Sequence, residues 1–140
     1  MKSKLLLVAT SLLAFSTAVH AFPTKPAKCP SVASIAAVGL NKNVVEQDKD
    51  GLWVVGMMKH NYDTRDTWTF VVGKINAKNK NDAFQKASAS LAGLSFAQGP
   101  VAVERINRWA CGYNSAAGYA AVSVSPHLDG ISLTNVPSLN

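Results

Sequence analysis

An α+β domain is the fold class this sequence predicts: one mostly antiparallel five-stranded sheet with two helices, in the order α-β-β-β-α-β-β. Three observations carry it. Leu52–Asn76 reads as two strands rich in Val, Trp, Phe, Tyr and Thr, joined by the polar loop Asp63-Thr64-Arg65-Asp66. Phe84, Ala87, Leu91 and Leu94 then recur at intervals of 3, 4 and 3, a helical stripe. Two further strand-like runs, Val101–Cys111 and Ala116–Ser125, follow it and are joined through Gly112-Tyr113-Asn114-Ser115.

The chain begins with a segment that does not belong to this fold. Met1–Ala21 has a basic start (Lys2, Lys4), an apolar run from Leu5 to Phe15 and a small-residue end at Val19-His20-Ala21. That is the pattern of a secretory signal peptide, with an apolar run too short to span a bilayer comfortably. Cleavage is expected after Ala21, with Ala18 as the alternative. The remaining residues, 22–140, form a single small domain with no integral membrane segment, bound for the periplasm or the extracellular space. Loss of Lys2 and Lys4 takes Lys and Arg from 14 to 12 against 8 Asp and Glu, so formal charge falls from +6 to +4. A mild excess of this kind serves solubility. Basic residues are not interleaved with aromatics in a recognition motif, so nucleic acid is not an expected partner.

Cys29 and Cys111 are the only cysteines. In an oxidising compartment they are expected to pair. The bridge would close a loop of about 83 residues, which chain entropy values at roughly 4.5 kcal/mol as an upper figure.

Taken in order, Phe22–Lys28 is a Pro- and Lys-containing lead-in, extended and mobile. A short helix starts at Pro30, carries Val32, Ile35 and Ala36 on one face, and ends at Gly39. Asn43–Gln47 is a short strand, and Asp48-Lys49-Asp50-Gly51 is a turn into the central hairpin. Asn79 or Asn81 caps the second helix, with Asp82 at its positive end. Gln98-Gly99-Pro100 closes that segment. Irregular alternation at Glu104-Arg105 suggests a bulge or a mixed environment. The tail from Pro126 adds an edge strand or stays loose.

If Tyr62 pairs with Thr67, then His60 faces Thr69, Met58 faces Val71, Gly56 faces Gly73 and Val54 faces Ile75. The opposite face gathers Trp53, Val55, Met57 and Lys59 beside Trp68, Phe70, Val72 and Lys74. Two Trp and a Phe make this face too apolar to be left wet. It is expected to be covered by the chain itself, with a partner or a ligand as the alternatives. The second helix, thin with Ala and Ser, is expected on the Gly56/Gly73 side.

Few constellations carry chemistry. Glu46–Gly51 imitates the start of an EF-hand loop, but the twelfth position is Met57, inside a strand, so a turn is the better account. His60 and His127 have no further His or Cys at ligand spacing, and no metal or cofactor is expected. His60 with Asp63 or Asp66, or His127 with Asp129, could serve a small hydrolase, although no nucleophile elbow is present. Lys74, Lys78, Lys80 and Lys86 read as a solvated basic surface.

Cys29, Trp53, Trp68 and the run Trp109-Ala110-Cys111-Gly112-Tyr113, behind a leader, resemble a group of small exported Legionella-type proteins classed as a domain of unknown function. The resemblance implies a bacterial exported protein and assigns no activity. The expectation is therefore a small secreted or periplasmic binding or interaction protein stapled by Cys29–Cys111. A protein partner could use the face of Trp53, Trp68 and Phe70, or the loop residues Asp63, Arg65 and Asp66. The alternatives are the hydrolase above and an enzyme inhibitor that inserts the Asp63–Asp66 loop.

Overall fold

The structure, a computed structural model, describes residues 21–139; the leader read over Met1–Ala21 lies outside them except for its last residue. Helix α1 (Val32–Val38) starts where the Ser31 side chain accepts from the Ser34 N–H. It stops at Gly39, whose φ of +74° suits a residue without Cβ. Strand β1 (Val45–Gln47) follows, and then a turn held by Asp48 Oδ1, which accepts from the N–H groups of Asp50 and Leu52 at 2.9 Å each. The central hairpin is β2 (Trp53–His60) and β3 (Trp68–Ile75). Helix α2 (Lys80–Ser90) is capped by Asn79, whose side chain accepts from the Asp82 N–H.

Three strands follow α2: β4 (Ser95–Val103), β5 (Arg108–Asn114) and β6 (Ala120–Ser125). All six form one antiparallel sheet in the order β1-β2-β3-β6-β5-β4. The sheet thus has six strands where the sequence predicts five, and the reason is local. Ser95–Pro100, read as the end of the helical segment, pairs with β5 and is strand. The irregularity at Glu104-Arg105 is not a bulge but a hairpin turn, a 3-10 turn Glu104–Ile106 closed by Asn107 at φ +55°. Gly112–Asn114, read as a turn, lies inside β5.

The hairpin register also differs. Gly56 faces Val71 and Met57 faces Phe70, with irregularities between Trp53 and Val55 and between Met57 and His60. Over Val55–Met57 that is a displacement of two residues from the expected pairing, and an even displacement leaves side chains on their own faces; at the ends, where Trp53 faces Ile75 and His60 faces Trp68, the displacement is one. Val55, Trp68, Phe70 and Val72 accordingly share one core, and Val54 and Val71 share the other. Ile75 is the exception: it joins Val72 rather than Val54.

The first core is closed by the helices. Ile35 of α1, with Ala83 and Ala87 of α2, packs over Trp68 and Phe70, all of them fully buried. Leu91 and Leu94, just beyond α2, complete the stripe. This corrects the expected placement of α2 over Gly56 and Gly73. The aromatic face offers far more apolar area to cover, while the hollow at Gly56 takes a single leucine. A Cβ there would lie 3.4 Å from Leu133 Cδ1 and 2.6 Å from the Phe70 carbonyl oxygen.

Leu133 belongs to the tail, which is neither an edge strand nor loose. Leu128 N–H donates to Thr69 Oγ1 at 2.8 Å, Ser132 donates to Glu46, and Gln98 donates to the Leu139 carbonyl. The tail therefore runs across the second face as a strap pinned to β3, β1 and β4.

The run Trp109–Tyr113 ties the two ends of the chain to one strand. Period-two alternation sends Trp109, Cys111 and Tyr113 to the helix side. Trp109 Nε1 donates to the Pro23 carbonyl at 2.7 Å, and its ring meets Phe22 edge-on and Lys25 Nζ at 5.6 Å. Cys111 is bonded to Cys29, and Tyr113 Oη donates to the Pro30 carbonyl. The lead-in is therefore extended but fastened. On the other side Gly112 makes room: a Cβ there would stand 3.3 Å from Leu139.

Candidate functional site

Trp68 and Phe70 are fully buried under α1 and α2, so the chain itself covers the face they share. Trp68 Nε1 donates to Thr64 Oγ1 at 2.7 Å, and half-buried Trp53 donates to the Ala77 carbonyl at 3.3 Å. The Asp63–Asp66 loop is knit to its own backbone through Thr64, whose hydroxyl contacts the Asn61 carbonyl and the Asp66 backbone. Asp63 accepts from the Ser31 N–H at 3.0 Å and faces Lys28 at 3.7 Å. The Ser31 N–H, before other causes, holds the Asp63 carboxyl below its ordinary 3.8. Arg65 is exposed on the loop.

His60 does not join these carboxylates. Its Nδ1 accepts from the Tyr62 N–H at 2.8 Å, and its ring lies against Tyr62. That bond serves the turn in which Tyr62 takes a φ of +54°. Burial, reinforced by Tyr113, pushes the Tyr62 hydroxyl well above its ordinary range, and burial likewise pushes Tyr113 up to about 12. Both are neutral core phenols, not acid–base groups at neutral pH.

His127 does meet Asp129, with Nε2 3.2 Å from Oδ1, while its Nδ1 stands 3.1 Å from Thr67 Oγ1. A neutral imidazole giving its Nε2 proton to Asp129 leaves Nδ1 to accept from the Thr67 hydroxyl. The set is a hydroxyl, an imidazole and a carboxylate in line, but Asp129 is 80 % exposed, which weakens it as an orienting group.

An enclosed site lies elsewhere. Between the second sheet face and the strap is a cavity of about 60 Å³ walled by Val54, Val71, Val122, Leu133 and Val136, with Asp48 and Lys74 at its polar side. A wider depression of about 340 Å³ adjoins it and shares Asp48, Lys74 and Thr134. The Asp48 side chain is only 9 % exposed. Its Oδ1 is used by the turn, but its Oδ2 is buried without a hydrogen-bond donor. Lys74 Nζ stands 3.6 Å from it, an ion-pair distance beyond hydrogen-bond reach, on a side chain that is 60 % exposed. Burial pushes the Asp48 carboxyl up, but the Leu52 and Asp50 N–H groups and the Lys74 charge outweigh it. The pKa falls below the ordinary 3.8, and Asp48 is an anion at neutral pH.

Nothing in the sequence joins Asp48, in a turn, to Lys74, in a run of surface lysines. Only the return of the chain from β2 along β3 brings them together. A larger open depression near Arg105 and Arg108, about 690 Å³, is less specific, because Arg108 donates to the Ile106, Asn107 and His127 carbonyls. Among the described residues no three or more His, Cys, Asp or Glu side chains gather as a metal site requires, and no helix is long and apolar enough to cross a membrane. The chain matches no protein-family model, no curated protein and no solved structure.

Proposed function

We propose that this is a small exported binding protein, stapled by Cys29–Cys111, whose ligand site is the cavity between the sheet and the strap. The observation that carries the reading is the buried, donor-less Asp48 Oδ2 at the edge of an apolar cavity. That oxygen is held only by the ion pair with Lys74 at 3.6 Å and has no hydrogen-bond donor, so a ligand bearing a donor would satisfy it. Apolar walls with a few placed charges are the usual make-up of small-molecule sites. Export is supported by the leader pattern and by the disulfide, and agrees with the resemblance to small exported proteins.

Native mass spectrometry of the oxidised protein recovered from an export-competent host tests this. The expected result is added mass that is absent from Ala120→Leu, a substitution at the cavity wall. A bare polypeptide that also takes up nothing from a small-molecule library removes the reading.

The line Thr67–His127–Asp129 favours a second reading, an exported hydrolase in which His127 takes the Thr67 proton. Turnover of p-nitrophenyl esters that His127→Ala abolishes would support it. Equal rates in the two proteins exclude it.

A further inference from the structure

Resting on the binding reading above, we infer that the cavity takes a small zwitterion with an aliphatic side chain, an α-amino acid the size of leucine, isoleucine or methionine. Its ammonium donates to Asp48 Oδ2, its carboxylate faces Lys74 Nζ, and its side chain lies among Val54, Val122 and Leu133.

Three features converge on this class. The first is size: at ~10–15 Å³ per water-sized group, a cavity of about 60 Å³ holds roughly four to six non-hydrogen atoms. The side chains of leucine, isoleucine and methionine fit that space, and an indole does not. The second is the empty acceptor. Asp48 Oδ2 is a buried anionic oxygen with Lys74 at ion-pair distance but no hydrogen-bond donor, so a primary ammonium gains a charge-assisted hydrogen bond there.

The third feature is the pairing of opposite charges. Asp48 and Lys74 are 3.6 Å apart, so any ligand head that reaches one is close to the other. A simple amine at Asp48 meets the Lys74 ammonium, and a short fatty acid at Lys74 meets the Asp48 carboxylate. Each singly charged head suffers like-charge repulsion at short range. A zwitterion satisfies both groups, and the exposed Lys74 side chain is free to turn toward its carboxylate. The adjoining depression of about 340 Å³ accommodates the head while the chain occupies the cavity.

Isothermal titration of the oxidised protein with L-leucine, isoamylamine and isovalerate separates the cases. These probes share one branched chain and differ only in charge. L-leucine is expected to bind at least ten-fold more tightly than either of the others. Asp48→Asn, which keeps an oxygen for the Asp50 and Leu52 N–H groups, is expected to weaken leucine binding at least ten-fold. Lys74→Met, at an exposed position, should weaken leucine but not isoamylamine. If isoamylamine or isovalerate binds as tightly as leucine, and Ala120→Leu abolishes that binding, the zwitterion class is overturned while the cavity remains a binding site. If no probe binds and the recovered protein carries no added mass, both the class and the binding reading are overturned.

Discussion

The helix-covered face and the strap-covered face belong to the same six strands, yet they are closed by different means. Over the first, α1 and α2 lay Ile35, Ala83 and Ala87 on Trp68 and Phe70, and the Cys29–Cys111 bridge holds the lead-in to α1 against β5. Over the second, the strap from Pro126 to Leu139, without regular structure beyond one 3-10 turn, supplies Leu128, Leu133 and Val136 among polar neighbours. Helices satisfy their own backbone and can present a continuous apolar stripe. A strap must spend side chains on anchoring itself, as Ser132 does at Glu46, and so it leaves a void. The well-packed face carries stability, and the imperfect one carries the candidate site.

The largest expected effect is Trp68→Ala. It should cost about 3–5 kcal/mol in urea unfolding, whereas Leu133→Ala, beside an existing cavity, should cost about 2 kcal/mol, the low end for such truncations. Equal costs would mean that the faces are equally packed. Reduction of the bridge comes next, at about 2–5 kcal/mol. Hydrogen exchange should then quicken over residues 22–38 while Leu128 keeps its protection, because only the first group is held by Cys29. Third, Ala87→Leu overfills the helix face and should cost about 1–3 kcal/mol, while Ala120→Leu at the cavity should change stability by less than about 1 kcal/mol.

The smallest effect is set by pH. Asp63 joins the hairpin loop to the start of α1, and its carboxyl is held below 3.8 chiefly by the Ser31 N–H. A depressed folded-state value means that its contribution is complete above the ordinary value and disappears as pH falls through the folded one. Asp63→Asn should therefore flatten part of the acid limb of stability, by less than about 1 kcal/mol for so exposed a pair. No change in that limb would place the acid sensitivity at Asp48 or Asp82, whose carboxyls are also lowered.

What could be read from the sequence was local or periodic. The caps at Asn79 and Gly39, the stripe Ala87-Leu91-Leu94 and the face shared by Val55, Trp68, Phe70 and Val72 depend on neighbours within a few residues. The Cys29–Cys111 pair followed from there being no other cysteine. What could not be read depended on distant chain. Gly112 looks like a turn residue until Leu139 is seen to occupy the space of its missing Cβ. Ser95–Pro100 becomes strand only because β5 is there to pair with it. The strap is too polar to advertise a core role, since its buried leucines are single residues separated by anchors. The candidate site inherits that difficulty, as its walls come from β2, β3, β6 and the strap.

The 82-residue separation of the bridged cysteines has a kinetic meaning. At ~5–20 residues per second of synthesis, Cys29 leaves the ribosome roughly 4–16 s before Cys111. Throughout that interval its proper partner does not exist, and the strand that clasps the lead-in cannot form either. Any oxidant met in that window can only cap the thiol or join it to another molecule. Where export is coupled to synthesis, yield of the native protein should depend on how long the first cysteine is kept reduced, and mixed disulfides through Cys29 are the by-product to expect when synthesis is slow.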